Sequence, residues 1–108
     1  MNRRVFFIKQ DPRYDTSAVR AHSNNVVYLL EHQPYVMNPA ELISIINRAL
    51  DMKGFDPEKD LVATTGPFMP VAMMMWVLAR RHPSVKVLMF DAKTDAYVER
   101  AWVLHKPD

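Results

Sequence analysis

Cysteine is missing from this chain of 108 residues. Its absence removes disulfide frameworks, thiolate zinc sites and cysteine nucleophiles together. No Gly-x-x-x-x-Gly-Lys stretch occurs, so a Walker-type phosphate cradle is excluded. The histidines, His22, His32, His82 and His105, are scattered, and no pair has the His-x-x-x-His spacing of a metal site. Long apolar runs are also lacking. The longest, Val71 to Ala79 with Phe68 and Met69 just before it, is too short to span a bilayer. Met1-Asn2-Arg3-Arg4 leads straight into a strand-like run rather than an apolar leader, so a cytoplasmic location is expected. Internal repeats, low-complexity tracts and interdomain linkers are absent, and the expectation is one domain over residues 1–108.

What is present is an ordinary globular composition, 49% apolar and 24% charged. The net charge of +2 is spread along the chain. It permits an anionic ligand without calling for duplex DNA, and neither a DNA nor a membrane partner is expected.

Val5-Phe6-Phe7-Ile8 reads as a first strand and Val26-Val27-Tyr28-Leu29-Leu30 as a second, buried one. Asp11 to Asp15 between them is turn chemistry. Asn38 caps a helix that opens with Pro39 and Glu41, and Lys53-Gly54 closes it. Leu61-Val62-Ala63-Thr64 is the third strand. A second helix runs from about Pro67 to Arg81 and stops at Pro83. Val85 to Phe90 and Tyr97 to Val103 are the last two strands, joined by the turn Asp91-Ala92-Lys93-Thr94-Asp95. The expected fold is therefore α/β with the order ββαβαββ. Its central strands are parallel in a Rossmann-like arrangement, and the first and last strands extend the sheet antiparallel.

Ligands of open α/β sheets bind beyond the carboxyl ends of the strands. On that edge the reading places Glu31-His32-Gln33-Pro34-Tyr35, Thr64-Thr65-Gly66-Pro67 and Asp91-Ala92-Lys93-Thr94. The middle loop has two readings. It is either a weak anion site of hydroxyls and a few amides, or a corner in which Thr65 caps the second helix and Pro67 begins it. Pro67 and Pro70 weaken the first reading, because each removes an N–H donor. Behind the loop, residues 68–79 are apolar nearly all round, with Met69, Met73, Met74, Met75 and Trp76. With one other helix to cover them, burial against a second copy of the chain is expected.

The run LVATTGPFMPVAMMMWVLARRHPSVKVLMFDAKTDAYVERAWV has a specific layout. A strand leads to a small-residue loop with Gly-Pro, then an apolar helix with a histidine near its end. A strand, an aspartate, a turn and a final strand follow. This layout resembles the small CRISPR-associated ring nucleases, whose wider group includes Rossmann-like domains that sense cyclic oligoadenylate. The resemblance implies a homo-oligomer holding that ligand, with Thr64, Thr65, Gly66 and Pro67 as its binding loop and Lys93 as the basic turn position. It implies Asp91 as the acidic position. Cleavage would proceed by 2′-hydroxyl attack or with a divalent metal such as Mn²⁺. One departure stands out. Val71 and Ala72 lie where that family's short members carry a functional histidine, which leaves His32 as the substitute general acid or base. Three expectations follow. The first is binding, with or without cleavage, of cyclic oligoadenylate in CRISPR-linked antiviral defence. The second is a non-enzymatic, oligomerising interaction protein. The third is a small-nucleotide sensor unrelated to defence.

Overall fold

The computed structural model describes residues 3–30 and 38–105. In chain order it contains β1 (Arg4–Phe7), a 3₁₀ helix (Ser17–Ala21), β2 (Asn25–Tyr28), α1 (Pro39–Met52), β3 (Leu61–Ala63), α2 (Phe68–Arg81), β4 (Ser84–Asp91) and β5 (Ala96–Val103). The strands form one mixed sheet in the order β2-β1-β3-β4-β5. β1 pairs parallel with both β2 and β3, β3 pairs parallel with β4, and β5 closes the sheet antiparallel to β4. No helix among the described residues is long and apolar enough to cross a membrane.

This arrangement corrects the expected place of the first two strands. β1 is an inner parallel strand rather than an antiparallel outer one, and β2 is the sheet's edge rather than part of its centre. Burial explains β1. Val5, Phe6, Phe7 and Ile8 are all essentially inaccessible, which a strand achieves only when both faces are covered. The segment from Lys9 to Asn24 is long enough for a parallel crossover with no α-helix in it.

The order reverses at β1, so the connections on its two sides lie on opposite faces. On one face Val19 of the 3₁₀ helix packs with Val5, Phe7, Leu61, Ala63, Leu88 and Tyr97. On the other, Leu42, Ile46 and Leu50 of α1 and Met74, Val77 and Leu78 of α2 pack with Phe6, Ile8, Val62 and Val87. Each of these large side chains contributes about 1.5–3 kcal/mol by leaving water. The α1 ends obey local rules. Asn38 Oδ1 accepts from the N–H groups of Ala40 and Glu41 at 3.0 and 3.3 Å, and Gly54 leaves the helix at φ +64°.

The α2 apolar run is largely buried within the chain itself. Pro70, Met74, Val77 and Leu78 are buried, and Met69, Val71, Met73 and Met75 pack partly covered against the same core. The chain's own core thus supplies much of the cover that was expected from a second copy over 68–79. What stays outside is a narrow stripe through Phe68 and Trp76, 87% and 45% exposed. At the other end of α2, His82 leans on the Phe55 ring at 5.6 Å, its Nε2 buried and without a hydrogen-bond partner among the described residues. Burial, reinforced by Arg81, pushes the imidazole below its ordinary pKa.

Charged groups brace the amino edge of the sheet. Arg4 donates to both oxygens of the buried Asp60, from Nη2 at 2.8 Å and Nε at 3.2 Å. It also donates to the carbonyls of Lys53 and Gly54 at 2.6 and 2.7 Å, tying β1 to the end of α1. Asp60 Oδ2 accepts the Asp56 N–H at 2.8 Å as well. Nearby, Arg3 holds Glu99 at 3.0 Å, and His22 Nε2 meets the Tyr97 carbonyl oxygen at 2.8 Å, pinning the crossover to β5.

Candidate functional site

The carboxyl edge is organised differently. β1 and β3 lie side by side there, and the chain leaves them in opposite directions across the sheet, which opens a crevice. Two connected hollows occupy it. The larger, about 530 Å³, is lined by Arg13, Tyr14, Asp15, Thr64, Thr65, Gly66, Met89, Phe90 and Tyr97. The smaller, about 110 Å³, includes Lys9, Gln10, Asp11, Thr16 and Tyr28 in its lining. Tyr14, Thr65 and Gly66 belong to both, so they form the divide between the two lobes.

The corner after β3 supplies the floor. Gly66 sits at φ +150°, and a Cβ there would come within 2.9 Å of Ile8 Cγ2 and 3.1 Å of Val71 Cγ2. The glycine is therefore required for packing the corner onto β1 and α2, whatever binds above it. The Thr64 N–H is committed to the Leu88 carbonyl at 3.2 Å. Thr65 does not cap α2. Its Oγ1 instead meets the Tyr97 hydroxyl at 2.9 Å, while Pro67 takes the N-cap position with no side-chain cap bond. Burial raises the Tyr97 pKa, only partly opposed by the Thr65 bond, so the phenol stays protonated and the pair offers hydroxyl chemistry rather than charge.

Aromatic rings make the walls. Phe90 packs edge-on against Tyr97 at 5.4 Å and leaves 43% of its surface open, and Tyr14 leaves 39% open. The rim carries Arg13, whose guanidinium lies 5.7 Å from the Tyr14 ring centre and is gripped by Asp11 at 2.6 Å.

The other sequence-derived site residues fall elsewhere. Asp91 and Lys93 belong to the β4–β5 turn, one and three residues beyond Phe90, and neither lines the hollows. The Asp91 carboxylate accepts the Lys93 N–H at 2.9 Å, and Asp95 takes the left-handed conformation at φ 52°, so the turn's own geometry accounts for both aspartates. His32, with the rest of the loop after β2, lies outside the described residues. Among the described residues no group of three or more histidines and carboxylates could hold a metal ion. Sequence reasoning missed the whole Lys9–Thr16 side of the crevice. It follows from assigning β1 to the outside of the sheet, since that assignment takes its carboxyl end away from the ligand edge.

The stretch from residue 3 to residue 103, which includes every strand and both α-helices, matches the model of the phage Pam3 gp32-like protein family. The chain belongs to that family. The match spans both sides of the crevice, from Lys9 in the crossover to Tyr97 in β5. No curated protein and no solved structure matches the chain.

Proposed function

We propose that this member of the phage Pam3 gp32-like family binds a small nucleobase-bearing ligand in the crevice at the carboxyl edge. One observation carries the reading. A cleft of about 530 Å³ opens at the reversal of strand order, with two partly exposed aromatic rings and a paired threonine–tyrosine hydroxyl in its lining. Rings of this kind stack on a base, and hydroxyls of this kind bond to a sugar. A Rossmann-like reading of the sheet agrees with the placement, because such folds use the same crevice. Cyclic oligoadenylate belongs to the ligand class and is one of the compounds to try. Binding alone is proposed, since Asp91 is occupied by its turn.

Titration calorimetry with adenosine and cyclic tetra-adenylate tests the site. The expected result is binding that Phe90→Ala weakens about tenfold, the equivalent of one stacked ring. Tyr97→Phe should weaken it about threefold or more by removing one hydroxyl. If neither compound binds, or both variants bind as the unaltered protein does, the crevice is not a nucleobase site.

A second reading draws on the outer stripe of α2. Phe68, Ala72 and Trp76 recur at one-turn spacing, with the small Ala72 between two exposed rings. Two copies could pack these stripes against each other, each presenting the same patch. Sedimentation of the unaltered protein and of a Phe68→Ser/Trp76→Ser variant decides it. A dimer lost in the variant supports self-association, and a monomer in both cases rules it out.

A further inference from the structure

The charge balance of the crevice narrows the ligand class further, an inference that rests on the site reading above. Lys9 and Arg13 are the cations in the lining, and Asp11 and Asp15 are the carboxylates. Two positive and two negative groups leave the site near neutral. Arg13 is already engaged. Its Nε lies 3.0 and 3.1 Å from the two Asp11 oxygens, and its Nη2 donates to Oδ2 at 2.6 Å. The Arg13 side chain, then its backbone N–H, hold the Asp11 carboxyl down at a pKa of about 2, so the pair stays ionised at neutral pH. Asp15 accepts the Ser17 N–H at 3.0 Å, which also holds its carboxyl below the usual range. Lys9 alone among these cations makes no hydrogen bond to the described residues, although it stands near enough to Asp11 to help lower that pKa.

At the corner the Thr64 N–H is used within the sheet, and Pro67 and Pro70 carry no donor, so the uncharged N–H groups of Thr65, Gly66, Phe68 and Met69 are the backbone donors left there. With Arg13 and Asp11 neutralising each other, a polyanion would therefore find one amine, Lys9, and one carboxylate, Asp15, and its later charges would have no further cation to meet. A neutral sugar, in contrast, finds the Thr65 hydroxyl on the divide, paired with the Tyr97 hydroxyl in the larger lobe.

We infer that the ligand is a nucleoside or nucleoside monophosphate. Its base lies between Tyr14 and Phe90 in the larger lobe, its ribose hydroxyls against Thr65 and Tyr97, and its single anionic group, when present, on Lys9 in the smaller lobe. Extra phosphates gain nothing in this site.

Calorimetry with adenosine, AMP, ATP and cyclic tetra-adenylate, at low and high salt, tests this. AMP should bind about tenfold more tightly than adenosine, and Lys9→Ala should erase that advantage, with an unchanged thermal midpoint as the control for folding. ATP should bind no more tightly than AMP. Asp11→Asn, which releases Arg13, should improve ATP binding about tenfold relative to adenosine binding by the same variant. Asp15→Asn should act in the same direction without touching the Arg13 clamp. Tighter binding of ATP or cyclic tetra-adenylate than of AMP by the unaltered protein, with a steep loss in salt, would overturn this inference and leave the site standing. Unchanged AMP binding in Lys9→Ala would overturn it too. Failure of all four compounds would remove the site reading and this inference together.

Discussion

The two ends of the sheet use the same residue types in opposite ways. At the amino edge, one arginine satisfies a buried carboxylate and two carbonyls, and that carboxylate also holds the next loop. Arg4, Asp60 and the Asp56 N–H are all partnered within the chain. At the carboxyl edge, an arginine–aspartate pair sits on the rim, and behind it hydroxyls and aromatic faces line an open crevice. Charges bonded to one another at the foot of the strands lock the fold. Polar groups set around a hollow at their tips remain available to something else. The contrast separates a braced end from an open one without reference to any ligand.

Substitutions should reveal that difference, most strongly at the amino edge. Asp60→Ala leaves Arg4 short of its buried partner and the Asp56 N–H unbonded, and should cost about 3 kcal/mol, read as a fall in urea midpoint. A loss of only a few tenths would show that the amino edge is not the lock described. Gly66→Ala comes next. Its clashes with Ile8 and Val71 and its positive φ should cost about 2 kcal/mol in the same assay, so this one residue of the open end behaves structurally.

The pH dependence concerns His82 at the amino end. Its folded pKa lies below the ordinary value of 6.5, because burial disfavours the charged form. The associated stability is complete above 6.5 and declines as pH falls through the depressed folded value. Thermal midpoints of the unaltered protein should therefore drop on mild acidification, and a His82→Phe variant should lose that part of the slope. Equal slopes in the two proteins would discount His82. The smallest effect is expected at Phe68, which lies outside the core on α2. Phe68→Ser should change monomer stability by less than about 0.5 kcal/mol.

Local signals in the sequence located most of the elements. Asn38, Pro39 and Gly54 mark the ends of α1 because capping depends on a few adjacent atoms. The alternation from Tyr97 to Val103 marks β5, since one of its faces is wet. The position of β1 was harder to read, although a continuous apolar run such as Val5 to Ile8 already signals burial on both faces. Its crossover has only a 3₁₀ helix, so nothing periodic in Lys9 to Asn24 announced a parallel connection. For the site, Thr64, Thr65 and Gly66 were found through the strand–corner–helix pattern. Lys9, Arg13 and Tyr14 were not, because their convergence with that corner depends on strand order.

The inner place of β1 also bears on how the protein can assemble. β2 adds to one side of β1, and β3 then adds to the other. β4 joins β3, and β5 joins β4. Taken in chain order, each strand meets an edge that is still free, and none has to be inserted between two already paired. The sheet can therefore grow outward during synthesis without undoing any earlier pairing, from the strand made first.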